Sequence, residues 1–309
     1  MKKTQLIILT LLIYPMVFFA QEVHVFGGSL VGNYGVTSAG INAGTSNYSS
    51  TFFGESAGQY SNGYANTFIG ANAGRYSTNV STNTFIGSCS GYFNQGTSNV
   101  FLGSNSGYYN KGSNNIFTGY QAGYKNQYGS SNVFSGYRAG YNNVYGGGNV
   151  FLGSNAGYSE TSSNRLYIDN SSTTKPLIYG KFDSNQLGIN TNIIPTGFAL
   201  AVKGKVITEE LKVQVYPWSD FVFEDTYYLP TLEEVENHIK QKGHLKDIPS
   251  AYEVGENGIF VGQMNAKLLQ KIEELTLYTI QQQKDLEAQE QKNKSLEARL
   301  IALEKYLKN

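Results

Sequence analysis

The stretch NVFLGSNSGY, from Asn99 to Tyr108, decides the fold, because close copies of it recur along the middle of the 309-residue chain. The shared pattern is Asn, then Val, Thr or Ile, then Phe, any residue, Gly, two residues, Ala or Ser, Gly and usually Tyr. Its phenylalanine occupies positions 52, 68, 85, 101, 117, 134 and 151, at spacings of 16 or 17 residues. A period this regular predicts an architecture in which each repeat stacks on its neighbour.

Each repeat is predicted to form one turn of a β-solenoid. The residues Asn99–Leu102 make a short strand, whose phenylalanine points to one face while its neighbours point to the other. The glycine after the strand permits a bend, and the Ala/Ser-Gly pair forms a second short segment. Since one such turn encloses little interior, we expect copies of the chain to associate around a shared axis, with the Ala/Ser-Gly face as the contact between them.

A tyrosine follows the second glycine of the repeat in five successive copies. Stacked turns would align these residues in a ladder, formed by Tyr92, Tyr108, Tyr124, Tyr141 and Tyr158. Aromatic faces offer contact area for sugars or other surfaces, so the ladder is a candidate binding stripe. The same ladder would also cover the neighbouring turn, and the sequence leaves both interpretations open.

Composition excludes several classes of function. Lys plus Arg and Asp plus Glu both number 23, so the chain is not a globally basic nucleic-acid binder. The single cysteine, Cys89, rules out an internal disulfide framework, and three histidines leave little for a metal site. Residues 23–159 contain one carboxylate, Glu55, which disfavours a glycosidase. We therefore predict no catalytic residue, no cofactor and no metal.

The first twenty residues read as a secretory signal peptide. Lys2 and Lys3 precede an apolar run from Leu6 to Ala20. The alternative is a membrane anchor, but the run is shorter than the ~20 residues that a spanning helix needs. We predict that residues 1–20 are removed and that the mature protein is secreted or held at the cell surface, without a membrane span.

Residues 165–262 are predicted to form a small collar of strands and a helix. From Arg165 the repeat gives way to short apolar runs separated by Gly and Asn, as in strands joined by turns. A capping box at Thr231–Glu234 opens a helix, and Gly243 is a natural end for it. The aromatic residues expected to form a small core here are Trp218, Phe221 and Phe223.

Residues 263–309 carry an unbroken heptad pattern, which predicts a coiled coil. Its expected core residues include Leu268, Ile272, Leu275, Leu286, Asn293, Leu296, Leu300, Leu303 and Leu307. Two of three flanking charged pairs, Lys292 with Glu297 and Arg299 with Glu304, favour parallel chains in register. The heptads alone leave two or three chains open.

Two resemblances follow from these motifs. The repeat, as TFIGANAG at Thr67–Gly74, resembles the heads of trimeric autotransporter adhesins, which are parallel β-rolls. The segments LPTLEEVENHIKQKGHLKDIPSA at Leu229–Ala251 and MNAKLLQKIEELTLY at Met264–Tyr278 resemble secreted tail-fibre-like proteins of Bacteroidota. Some such fibres end in a self-cleaving chaperone marked by Ser-Asp-x-Arg-x-Lys. Here Ser219 and Asp220 are present, but the Arg and Lys are not.

The combined expectation is a mainly β protein with an α-helical C-terminus. A glycine-rich parallel β-solenoid, or β-roll, head would span residues 21–164, followed by the α+β collar and a parallel coiled coil, as a homotrimer. The expected function is surface adhesion through the head, without catalysis, toward a glycan or an extracellular-matrix or cell-surface ligand and not nucleic acid. Alternatives are a structural component of an extracellular fibre or tail-like machine, and a self-cleaving fibre.

Overall fold

The computed structural model describes residues 35–44, 48–216 and 218–307. The predicted signal peptide, residues 1–20, lies outside them. Internal contacts divide the chain into two units, separated between Val206 and Ile207. We call them the solenoid unit and the helical unit, and describe each by itself.

The solenoid unit is a parallel β-solenoid built from one short strand per repeat. Strands β1 to β9 pair in parallel, each with the next along the chain. Their bounds are Thr37–Ala39 (β1), Thr51–Phe53 (β2), Thr67–Ile69 (β3), Thr84–Ile86 (β4), Val100–Leu102 (β5), Ile116–Thr118 (β6), Val133–Ser135 (β7), Val150–Leu152 (β8) and Arg165–Ile168 (β9). Phenylalanine faces phenylalanine from β2 to β8, as the period of the sequence predicts.

Three more strands continue the same sheet beyond the repeats. Strand β10 (Ile178–Lys181) pairs antiparallel with β9, and β11 (Gln186–Ile189) pairs antiparallel with β10. Strand β12 (Leu200–Val202) then pairs in parallel with β11. The strand order therefore follows the chain from β1 to β12.

A column of fully buried phenylalanines fills the interior of the solenoid. Its members are Phe52, Phe68, Phe85, Phe101, Phe117, Phe134 and Phe151. Consecutive ring centroids lie 4.6–5.3 Å apart, and Tyr167 closes the column with an edge contact to Phe151 at 5.4 Å. Burial of each side chain contributes about 1.5–3 kcal/mol, so this column is the main apolar core.

The Ala/Ser-Gly pair also lies inside the solenoid, and our expectation that it joins copies of the chain is wrong. Ala122 and Ser106 are fully buried within the same chain. Gly107 has φ +58°, and a Cβ there would come 2.3 Å from the Phe101 ring. The pair is small because it packs beneath the phenylalanine of its own turn, not because another chain approaches it.

A buried asparagine column runs beside the phenylalanines. It comprises Asn66, Asn83, Asn99, Asn115, Asn132 and Asn149. Each Oδ1 accepts the backbone N–H that begins the next turn, at 2.7–3.1 Å. Each Nδ2 donates to a loop carbonyl at 2.8–3.2 Å. The asparagine that opens these six repeats therefore satisfies backbone groups that the narrow interior would otherwise leave unpaired.

The helical unit contains a 3₁₀ helix, Ser219–Phe223, and helices α1 (Leu232–Lys242), α2 (Ala251–Asn257) and α3 (Val261–Leu307). Helix α1 begins with the predicted capping box and ends at Gly243, whose backbone is left-handed. Of the predicted small core, Trp218 and Phe223 are exposed, whereas Val222 is buried. The expected core is therefore wrong for these two aromatic residues, because the short 3₁₀ helix turns Val222 inward in their place.

Contacts within the helical unit fasten one side of α3. Ser219 Oγ donates to the carbonyl of Ala266 at 2.7 Å. Tyr227 Oη donates to Glu274 Oε1 at 2.5 Å, and Lys271 Nζ contacts the same oxygen at 3.0 Å. In the described part of the chain, the apolar heptad residues of α3 remain exposed beside these contacts.

Candidate functional site

The five predicted tyrosines stack in register on the outside of the solenoid. Centroid distances are 5.0 Å from Tyr92 to Tyr108 and 5.2 Å for each later pair, up to Tyr158. All five rings are half-buried. The repeat places them here because each follows a left-handed glycine, which turns the chain back across the surface.

More aromatic rings lie to both sides of this tyrosine ladder. One further column consists of Tyr60, Tyr76, Phe93 and Tyr109, with centroids 4.9–5.7 Å apart. Tyr120 stacks on Tyr137 at 5.6 Å, and Tyr128 stacks on Tyr145 at 5.4 Å. These last four side chains are exposed at the surface of the solenoid.

Every lysine and arginine between residues 48 and 164 lies over a tyrosine ring. Arg75 is 5.3 Å from the Tyr76 centroid, and Lys111 is 5.7 Å from Tyr128. The other two cations are Lys125 and Arg138. Cation–π contacts of this kind are worth about 0.5–1 kcal/mol at exposed positions, so each cation is held to the aromatic surface.

The densest group of these contacts is a surface that we call the cationic tyrosine patch. It comprises Tyr120, Tyr124, Lys125, Tyr137, Arg138 and Tyr141. Lys125 Nζ lies 5.2 Å and the Arg138 guanidinium carbon 5.5 Å from the Tyr141 centroid. Arg138 also lies 5.1 Å from the Tyr137 centroid, and its Nε donates to Gln121 Oε1 at 2.8 Å. Two stacked tyrosine pairs thus border a line of polar and cationic groups.

Burial disfavours the ionised form of two tyrosines of the ladder, Tyr108 and Tyr124. Burial raises the pKa of Tyr108 to about 12, and the neighbouring tyrosines add to the effect. Burial also raises the pKa of Tyr124, again with contributions from adjacent tyrosines. The sequence holds no carboxylate between Glu55 and Glu160. These two phenols are therefore neutral hydrogen-bonding groups at neutral pH, and the formal charge of the patch comes from Lys125 and Arg138.

Cys89, the histidines and Ser219 are the remaining side chains considered from the sequence. Cys89 is half-buried at φ 55°, a left-handed position that the other repeats fill mainly with Asn. His238 and His244 meet only through an edge contact at 5.7 Å, and His24 lies outside the described residues. Ser219 Oγ bonds to a carbonyl, not to a base. Within residues 35–44, 48–216 and 218–307, no group of three His, Cys, Asp or Glu side chains forms a metal site.

The predicted coiled-coil core lies on an exposed face of α3. In the single chain, the apolar members of that heptad core expose between 44% and 80% of their surface. They are Leu268, Ile272, Leu275, Leu286, Leu296, Leu300, Leu303 and Leu307. Asn293, the polar member, accepts a hydrogen bond from Gln289 at 2.9 Å. An exposed apolar seam is therefore present along the helix in the described part of the chain.

A second exposed apolar surface was not assigned from the sequence. In each strand the residues before and after the buried phenylalanine point outward, away from the core. Phe53, Ile69, Ile86 and Ile116 are exposed there, and Val100, Leu102, Val133, Val150 and Leu152 are half-buried. We call this surface the outer strand face. Its aliphatic residues recur on either side of the phenylalanine in most repeats, so this surface could have been predicted from the sequence.

Among the described residues, no helix has the length and apolar character required to cross a membrane. Comparisons of the chain with protein-family models, with curated proteins and with solved structures find no match.

Proposed function

We propose that this protein is the subunit of a secreted homotrimeric fibre that binds a surface ligand through its solenoid unit. The observation that carries the proposal is the exposed heptad seam on the 47-residue helix α3. A long apolar seam is buried favourably when parallel helices wrap around each other. The pairs Lys292 with Glu297 and Arg299 with Glu304 support the parallel arrangement.

The outer strand face supports association in the solenoid unit as well. Exposed Ile86 and Ile116 lie among half-buried aliphatic residues on a continuous sheet, and apolar areas of this kind mark interaction sites. This face takes the place that we first assigned to the Ala/Ser-Gly pair. Three copies are proposed because the repeat resembles the heads of trimeric adhesins.

Binding is proposed because the surface repeats the same groups from turn to turn. A ligand with many equivalent groups would gain many weak contacts, and trimerisation would multiply them further. The tyrosine ladder and the exposed tyrosine pairs supply large, rigid contact area. No catalytic step is proposed.

The stacking of the ladder favours one alternative, a structural component of an extracellular fibre or tail-like machine. Tyrosine rings whose centroids lie 5.0–5.2 Å apart cover one another and stabilise neighbouring turns. A rod with a purely structural role requires such stabilisation. A self-cleaving fibre has less support, because Ser219 donates to a backbone carbonyl and lacks the Arg and Lys of the chaperone motif.

The test is the solution mass of the chain from Gln21 to Asn309, measured by light scattering over a range of concentrations. We expect three times the mass of the chain. Leu296→Glu places a charge in the seam and should lower the mass, whereas Ala298→Glu, an equal charge on the opposite side of the helix, should not. A mass of two chains would replace the trimer with a dimer, and a stable monomer would contradict the fibre.

Ligand binding is tested separately, on the intact oligomer. Pull-down with immobilised glycans or matrix proteins is expected to exceed pull-down with envelope components of the producing cell. The reverse result would favour the structural alternative.

A further inference from the structure

We propose that the cationic tyrosine patch binds an acidic polysaccharide, an inference that rests on the proposed binding function and names its ligand class. The patch combines two features that such a polymer requires. Tyrosine faces can stack on the apolar faces of sugar rings, and cations can pair with the acidic groups that the sugars carry.

Among the described residues, neither the cations of the patch nor Lys111, which lies outside it, has an acidic partner. Within the described part of the chain, no carboxylate forms a salt bridge with Lys111, Lys125 or Arg138. By contrast, Arg165 pairs with Asp183 at 3.2 Å in the same unit. The chain as a whole is neutral, yet this surface is cationic, and its complement is an anion.

Arg138 is held in an orientation that leaves part of its guanidinium available. Its Nε donates to Gln121, and its planar group lies over Tyr137 and Tyr141. No other described residue accepts a hydrogen bond from its terminal nitrogens. A planar guanidinium held in this way can donate two parallel hydrogen bonds to a carboxylate.

The exposed rings beside Arg138 provide the sugar-stacking surface. Tyr120 and Tyr137 expose 43% and 45% of their surface and stack on each other across successive turns. Similar ring and cation contacts recur at Tyr128 with Lys111 and at Tyr76 with Arg75. A repeating surface of this kind suits a repeating polymer better than a single small ligand.

Two other classes of ligand match the tyrosines and cations of this surface less well. A neutral glycan would use the tyrosines but leave the cations unpaired. A nucleic acid carries a charge every ~1.7 Å of duplex and is matched by dense basic patches, whereas here four cations are spread over residues 75–138. An acidic polysaccharide, whose charges are separated by whole sugar units, fits this spacing.

The experiment compares two polymers that share one backbone. Polygalacturonate and its neutral methyl ester are each titrated into the chain Gln21–Asn309, with a single-stranded DNA oligonucleotide as a third probe. We expect polygalacturonate to bind, with an affinity that falls as salt rises, and to bind more tightly than either other probe. Equal binding of the ester, or tighter binding of DNA, would overturn the proposal.

Two pairs of variants locate the binding. The double substitution Lys125→Gln with Arg138→Gln should lower the affinity for polygalacturonate roughly tenfold or more, as expected for loss of charge-assisted contacts. The control, Lys175→Gln with Lys203→Gln, removes the same charge from exposed positions elsewhere in the solenoid unit and should change little. If both double variants weaken binding equally, attraction is general and the patch is not the site.

Sugar stacking is tested without a change in charge. Tyr137→Ser removes an exposed ring, so the fold should persist and the affinity should fall several-fold. An unchanged affinity would contradict stacking. If the chain binds neutral glycans or matrix proteins but not polygalacturonate, this inference fails while the proposed function stands.

Discussion

The two units of this protein use sequence repeats in opposite ways. In the solenoid unit, each phenylalanine of the buried column meets the equivalent aromatic residue 16 or 17 residues later, within the same chain. In helix α3, the apolar residues of the heptad pattern also recur along the chain, yet they stay exposed. The difference lies in geometry: a repeat that closes a turn brings like residues together, whereas a repeat along a helix only aligns them on one face.

The two units differ in how much of their apolar surface a single chain buries. The solenoid pairs its phenylalanine rings, its asparagine amides and its strand backbones internally. Helix α3 satisfies its own backbone hydrogen bonds, but the main apolar surface remains in water. We therefore expect substitutions inside the solenoid to act on folding and substitutions in the seam to act on association.

The largest effect on folding is expected at the centre of the phenylalanine column. Phe101→Ala leaves a cavity between the rings of Phe85 and Phe117, which lie 4.7 and 4.9 Å from the Phe101 ring. The free energy of unfolding should fall by about 3–5 kcal/mol, as measured by denaturant titration.

The matched control for this substitution is Phe93→Ala, since Phe93 is exposed and stacks only along the surface. It should cost far less than Phe101→Ala. Equal losses would show that burial in the solenoid interior does not determine how much a phenylalanine contributes to stability.

A smaller effect is expected in the asparagine column. Asn115→Ala removes the acceptor for the Asn132 N–H at 2.9 Å and the donor to the Gly129 carbonyl at 2.9 Å. Each backbone group left unpaired costs about 1–3 kcal/mol, measurable as a lower unfolding midpoint. Asn142→Ala is the control, because that half-buried side chain is not part of the column. An unchanged midpoint for Asn115→Ala would show that water replaces the amide.

The sequence predicted those contacts that depend only on the 16- or 17-residue spacing of the repeat. Stacking of phenylalanine on phenylalanine, and of Tyr108 on Tyr124, follows from the spacing of the repeat. The inward position of the Ala/Ser-Gly pair did not follow, because it depends on how left-handed residues such as Asn105 close the turn. The contact of Lys125 with Tyr141 was also missed. Lysine occupies that position in one repeat only, and the ring that it contacts belongs to the next turn.

The smallest effect concerns the stability of the solenoid in alkali. Burial raises the pKa of Tyr108 to about 12 in the folded chain, above the value near 10 of an unfolded tyrosine. The folded state therefore favours the neutral phenol. This contribution is fully present below about pH 10 and is lost as pH rises toward 12.

Tyr108→Phe tests this contribution, because phenylalanine keeps the ring but cannot ionise. Unfolding midpoints measured from pH 8 to pH 11.5 should fall less steeply for the variant than for the natural chain. Tyr227→Phe, in the helical unit, removes a phenol whose pKa is also raised to about 12, by burial and by its hydrogen bond to Glu274. If the two units unfold separately, each substitution should flatten the pH dependence of its own transition alone, because each phenol is buried by its own unit. A change in both transitions from either substitution would show that the units unfold together, and the solenoid would then not be stabilised independently of the helix.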